Sequence, residues 1–208
     1  MQTDDESVRV GVDSIQPWTL SASGKKFYYL EPTVDMVDQQ DIVHHTSNIC
    51  RFTGAVSQFY SVAQHSVFVA QIVKKMLDDE GVDRTVEYWD QVLAALLHDS
   101  AEFIVNDIAT PLKHAIRGKY DWIESGILRV IFEKYGVDWG YHNAALKEAD
   151  NIALQVERYY LMPDHKDWPK VAKSQMLYAQ PKEMGPAESR NLFRAALVYA
   201  VHQRNALR

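Results

Sequence analysis

Cysteine is nearly absent: Cys50 is the only one in 208 residues, so no disulfide framework holds the fold and a reducing cytoplasm fits best. No uninterrupted apolar stretch approaches the roughly 20 residues that a bilayer-crossing helix needs, and no membrane partner is expected. The opening Met1-Gln2-Thr3-Asp4-Asp5-Glu6 lacks the basic and apolar regions of a secretory leader, which again points to the cytoplasm. Basic excess is missing too. The formal net charge is -6, with acidic residues scattered rather than blocked into tails, so long-range attraction to a nucleic-acid polymer is not expected. A small anionic substrate is compatible with this balance, because a bound cation and a few placed Arg or Lys side chains create a local positive pocket. Repeats, low-complexity tracts and internal linkers are also lacking, and one domain is the default at this length.

What is present is apolar content, 47% of residues, arranged mostly at helical spacing. Residues 1–38 carry Gly11, Pro17, Gly24 and Pro32 around short runs such as Lys26-Phe27-Tyr28-Tyr29-Leu30, which predicts an N-terminal arm or hairpin packed on a domain spanning 39–208. Weak helical character covers 40–49. Ser61 with Gln64 three residues on has capping-box spacing and starts a helix that runs to about Leu77. Residues 86–104 read as one helix, and 106–113 as an interrupting loop, since Pro111 biases Thr110 away from helical geometry. Further helices are expected over 121–135, closed by Gly136, and over 143–160. A short one is expected around 172–179, and a last one over 187–204 with Leu192, Ala195, Ala196 and Tyr199 on one face. The fold class is all-α, a helical bundle with a minor strand element.

Four ionisable residues sit inside these apolar patterns. His98 and Asp99 end the run Val92 to Leu97, where a histidine and a carboxylate are costly to bury unpaired. Asp99 lies about 100 degrees round the helix from His98, so both reach one ion only if it sits between their directions. His65 shares a stripe with Val62, Val69 and Ile72 and faces inward, and Asp150 lies on or beside the apolar face that carries Leu146, Ala153 and Leu154. Taken singly, His65 also reads as a hydrogen-bonded core histidine, and Asp150 as a salt-bridge or cap partner. The adjacent pair needs a joint explanation, and a metal ion held by all four supplies one. His44, His45, His114, His142, His165 and His202 read as surface or local hydrogen-bonding groups.

An early His, a His-Asp pair and a late Asp resemble the HD-domain metal-dependent phosphohydrolases. The further motifs are Arg51-Phe52, Tyr60-Ser61-Val62-Ala63-Gln64-His65-Ser66, His98-Asp99-Ser100-Ala101-Glu102, Asp107 and Thr110-Pro111-Leu112-Lys113. They are similar to the small deoxynucleotidase-like branch of that family. Within the branch, Ser47-Asn48-Ile49-Cys50-Arg51-Phe52-Thr53-Gly54 resembles phage-encoded dATP triphosphohydrolases of the DatZ kind. Phe52 departs from the Arg-Trp of the nucleotidases, where the Trp is associated with the sugar pocket.

The resemblance implies a helical HD domain and hydrolysis of a deoxynucleoside triphosphate, dATP first, to deoxynucleoside and triphosphate by attack of metal-activated water on the alpha phosphorus. The alternatives are a 5'-deoxynucleotidase acting on dNMPs and a silent nucleotide-binding sensor. The metal ligands would be His65, His98, Asp99 and Asp150. A mixed imidazole and carboxylate set suits one Mn, Co, Zn, Ni or Fe ion per subunit better than an all-oxygen Mg cage, with Mg accompanying the substrate phosphates still compatible. Glu102, one turn beyond His98, takes the larger share of the general-base role. Asp107 either shares it or protonates the leaving oxygen; helix-end capping is the plain alternative for both. Arg51 and Lys113 would neutralise phosphate oxygens. Phe52, Phe59 or Tyr60 would stack on base or sugar, or else belong to the core. Glu157, seven residues beyond Asp150, would hydrogen-bond a histidine ligand or else pair near Lys147. The partner would be a small nucleotide, inside the host cell if phage-encoded. Homo-oligomers are common in the branch, and the face with Leu192, Ala196 and Tyr199 either closes the core or joins subunits.

Overall fold

The computed structural model describes residues 16–168, 170–171 and 180–208. The expected helix at 172–179 lies outside the described residues, as does the arm before residue 16. A hairpin pairs β1 (Trp18–Leu20) antiparallel with β2 (Lys26–Tyr28), with Thr19 opposite Phe27. The buried Phe27 docks it edge-on against Phe103 at 5.3 Å. Helices follow: α1 (Gln39–Asn48), α2 (Val62–Asp79), α3 (Val86–Leu97), α4 (Glu102–Val105), α5 (Thr110–Ala115), α6 (Lys119–Tyr135), α7 (Ala144–Leu161) and α8 (Pro186–Asn205).

The central element is α2, packed by α1, α3, α7 and α8. Its start is fixed by the capping box the sequence announces: Ser61 Oγ accepts from the Gln64 amide at 3.1 Å, and Gln64 Oε1 accepts from the Ser61 amide at 3.0 Å. Asn143 caps α7 by accepting from the amides of Ala145 and Leu146, and Gly136 ends α6 at φ 61°, a left-handed conformation that glycine adopts without steric cost. Val92, Leu93, Leu96 and Leu97 on α3 are buried. Each large aliphatic side chain so buried contributes about 1.5–3 kcal/mol, and that surplus lets the bundle tolerate a polar cluster in its interior.

Three sequence expectations are corrected. The single helix over 86–104 is broken: after Leu97 the backbone stays right-handed but tightens, with Ser100 N–H bonding to Leu97 C=O, Glu102 to Asp99, and Phe103 to Ser100 before α4 resumes. The loop over 106–113 is shorter than expected. Helix α5 begins at Thr110 with Pro111 in its first turn, where the missing N–H would have had no helical partner in any case. The buried stripe of α8 is Ser189, Phe193, Leu197, Ala200 and Arg204, rotated from the expected face. Leu192 and Ala196 flank the core, while Tyr199 is exposed and meets Trp89 edge-on. None of the described helices is long and apolar enough to cross a membrane.

Candidate metal centre

Three helical segments bring the quartet together. α2 delivers His65, the tightened turn after α3 delivers His98 and Asp99, and α7 delivers Asp150. His65 Nε2 lies 3.2 Å from His98 Nε2, 3.3 Å from Asp99 Oδ2 and 3.3 Å from Asp150 Oδ1. His98 Nε2 is 3.2 Å from Asp99 Oδ2 and 3.9 Å from Asp150 Oδ1. His65, His98 and Asp99 form the tighter group able to share an ion. Asp150 joins it with one oxygen while its Oδ2 accepts from Lys147 at 2.6 Å.

The donor set fits a divalent ion on two counts. Ligand atoms about 2.1 Å from a metal stand about 3.0 Å apart at right angles and about 3.4 Å apart at tetrahedral angles, and the separations here fall near that range. The second count is the assignment of protons. His98 Nδ1 donates to the Ala95 carbonyl at 2.8 Å, and His65 Nδ1 donates to Glu157 Oε1 at 2.7 Å. Both rings therefore turn Nε2 inward, where it meets two carboxylate oxygens. With neither Nε2 protonated the four atoms would all be acceptors and mutually repulsive, so the cluster calls for a cation, or for protons captured on the imidazoles in its stead.

The local fields agree. Burial works against a charged His65 and Arg51 adds to that, yet Glu157, Asp150 and Asp99 outweigh both and hold its proton affinity well above the ordinary histidine value. Burial would raise Asp99, but His98 and the hydrogen bonds from both imidazoles keep it well below the usual carboxylate range. Asp150 is likewise held down, against its own burial, by the same two histidines.

Around the quartet stands a ring of charge. The buried Arg51 places Nε and Nη2 each 3.2 Å from Glu157 Oε2, and Nη1 3.5 Å from Asp99 Oδ2. Tyr60, also buried, turns its hydroxyl to Glu157. Glu157 is fully buried and, despite that burial, stays ionised through Arg51 and His65. Glu102 is 2% exposed; its Oε1 accepts from Lys113 at 3.3 Å, and its Oε2 has no hydrogen-bond partner among the described residues. Burial, then Asp99 and Asp107, push the Glu102 carboxyl well above its ordinary range, with Lys113 and Arg51 opposing. Lys113 also donates to Glu124 Oε1 at 2.8 Å, an oxygen that accepts from the Tyr120 hydroxyl at 3.1 Å. Asp107 lies in the α4–α5 loop, near enough for its charge to act on Arg51 and Glu102. Phe52 is half-buried with its ring 5.3 Å from the Arg51 guanidinium carbon, at a positive φ of 56°.

Sequence reasoning did not find Glu124 and Tyr120. Neither carries a local signal, because the lysine that joins them to Glu102 lies across the turn between α5 and α6. A concavity of about 350 Å³ between the hairpin and α1, lined by residues such as Leu20, His44 and His45, holds none of the quartet. The chemistry, not that opening, marks the site.

Residues 41–134 match the family model described as 5'-deoxynucleotidase YfbR-like, a span that includes Arg51, His65, His98, Asp99 and Glu102 and stops short of Asp150 and Glu157. The chain is 39% identical over 148 residues to YfdR of Escherichia coli K12, named as an uncharacterized protein, covering 71% of this chain and 74% of that one. It is 29% identical over 145 residues to the uncharacterized protein RCAP_rcc00048 of Rhodobacter capsulatus, covering 67% of this chain and 70% of that one. The order His, His-Asp and Asp around one polar centre, together with these matches, means that the chain belongs to the 5'-deoxynucleotidase YfbR-like family of HD-domain phosphohydrolases.

Proposed function

We propose that this chain is a metal-dependent 5'-deoxynucleotidase, cleaving a deoxynucleoside 5'-monophosphate to the deoxynucleoside and inorganic phosphate. The observation that carries this reading is the convergence of His65, His98, Asp99 and Asp150 beside Glu102, whose buried Oε2 has no hydrogen-bond partner among the described residues. A divalent transition metal held by those four residues supplies Lewis acidity to the phosphoryl group and to the attacking water. In the reaction water adds to phosphorus, the bond from phosphorus to the 5' oxygen breaks, and that oxygen gains a proton.

Glu102 accepts the proton from water. A carboxyl with raised proton affinity suits that work near neutral pH. Glu102 then returns that proton to the leaving oxygen, and Asp107, on the adjoining loop, contributes the negative charge that raises the Glu102 proton affinity. Lys113 donates to a phosphate oxygen, exchanging its long 3.3 Å contact with Glu102 for the stronger acceptor while Glu124 keeps it in place. Glu157 holds the His65 ring in the orientation that presents Nε2. A non-catalytic nucleotide sensor has no use for a buried carboxyl such as Glu102 held beside the four donors.

Charge favours the monophosphate over the triphosphate. Arg51 faces Glu157 and Asp99, Lys113 faces Glu102 and Glu124, and Lys147 faces Asp150. Each of these cations is already balanced, and two further phosphoryl groups would demand positive charge beyond them. The dATP triphosphohydrolase reading keeps one observation in its favour: Phe52 stands beside Arg51 where the resembling nucleotidases carry Trp. An assay of all dNMPs and dNTPs with Mn, Co, Zn or Ni added, resolving products by anion exchange, separates the two. Phosphate from dNMPs is expected, with His98→Ala and Asp99→Ala inactive. Triphosphate from dATP with dAMP untouched would overturn the nucleotidase, and nucleotide binding without any product would favour the sensor.

A further inference from the structure

We propose that Arg51 is a positioning residue for the metal centre: it braces His65 through Glu157 and Asp99 directly, and thereby sets how tightly the four donors hold a divalent cation. The inference rests on the metal-dependent reading above and gives Arg51 a task other than binding phosphate.

The backbone argues for this first. Cys50 and Ser61 form an isolated antiparallel bridge. Arg51 N–H donates to Tyr60 C=O at 2.9 Å, and Val62 N–H to Ile49 C=O at 3.1 Å. Arg51 is thus stapled to the capped start of α2, the helix that carries His65 one turn further on. Its side chain then crosses to α7. Two of its nitrogens share Glu157 Oε2, leaving Oε1 of the same carboxylate for His65 Nδ1 at 2.7 Å. The third nitrogen faces Asp99 Oδ2, the oxygen that both imidazoles also face. The fork therefore reaches one of the four donors, Asp99, directly and a second, His65, through Glu157.

Chemistry explains why arginine stands here. A planar guanidinium reaches two acceptors in fixed directions at once, which a lysine point charge cannot do. Glu157 is fully buried on its side-chain atoms and Arg51 nearly so, at 8% exposure. Without the cation, Glu157 would be a buried anion with, among the described residues, the Tyr60 hydroxyl and the His65 ring left to face it, and the ring would lose its fixed orientation. With the fork committed inward, recognition of substrate phosphate falls to Lys113 and the metal.

The test is a titration of Mn²⁺ into nucleotide-free protein, by calorimetry or by competition with a chromophoric chelator. It uses the wild type, Arg51→Lys, Arg51→Gln, Glu157→Gln and the double variant Arg51→Gln/Glu157→Gln, each checked for folding by circular dichroism. Arg51→Gln is expected to weaken metal binding about 10- to 100-fold, and Arg51→Lys less, since it keeps the charge and loses the fork. The double variant should be no worse than Glu157→Gln alone, because the two residues act as one unit. If Arg51→Gln fails to fold, Arg51→Lys decides by the same readout. Metal affinity equal to wild type in the folded Arg51 variants, with only KM for dAMP raised, would overturn the brace alone. A wild type that binds no divalent ion would remove the metal-dependent reading and the brace together.

Discussion

Replacing Glu102 by Gln separates chemistry from architecture at this site. The side chain is 2% exposed, its Oε1 sits 3.3 Å from Lys113, and its Oε2 has no hydrogen-bond partner among the described residues. An amide of the same shape keeps the packing around Glu102 and can still accept from Lys113. Stability should therefore change by about 1 kcal/mol, the centre of the range for point substitutions. Metal binding should persist, since none of the four donors is altered. The amide cannot take a proton from water, and loss of general acid-base catalysis costs about 100- to 10,000-fold in rate, equivalent to about 2.7–5.4 kcal/mol of transition-state stabilisation. Steady-state release of phosphate from dAMP, measured on metal-loaded protein whose ion content is checked on the same sample, gives the answer. A kcat within about fivefold of wild type would refute the reasoning on Glu102. So would a loss of activity that tracks a loss of metal.

Three further expectations concern the frame. Arg204 Nη1 lies 3.0 Å from Asp90 Oδ1, both buried, and joins α8 to α3; Asp90→Ala should cost about 3–5 kcal/mol in urea unfolding, with Asp90→Ala/Arg204→Met recovering much of it. The Ala22 N–H donates to His45 Nε2 at 3.0 Å, and burial, opposed by Asp41, lowers the proton affinity of His45. Its neutral form is favoured by folding, so the stabilisation is complete above the ordinary histidine value of 6.5 and declines as pH falls below it. The thermal midpoint should drop on acidification, and amide exchange in the hairpin should rise, less steeply in His45→Gln; equal slopes would contradict this. Ser61→Ala removes the cap of α2 and should cost about 1 kcal/mol in equilibrium unfolding.

Much of this was legible from the chain because the determinants are local. Ser61 with Gln64, Asn143 before α7 and Gly136 after α6 state helix ends in residues adjacent to those ends, and the structure places the ends there. The quartet was legible because an ionisable residue in an apolar stripe is conspicuous. What escaped was set by tertiary contact. The helix through His98 tightens after Leu97, so that Asp99 turns back toward both histidines. The inward face of α8 follows Arg204, whose partner Asp90 is 114 residues away. Arg51 reads as a candidate phosphate ligand, and its pairing with Glu157, 106 residues distant, has no signal in the sequence. In each case a long-range polar partner, invisible to periodicity, decides the geometry.

The central claim is that His65, His98, Asp99 and Asp150 jointly hold one cation. Elemental analysis of protein purified without chelator, then loaded with Mn, Co or Zn and desalted, tests it most directly. One divalent ion per chain is expected in the wild type, lost in His98→Ala and in Asp99→Ala while their helical content stays unchanged. A wild type that retains no ion, or variants that retain it in full, would contradict the claim.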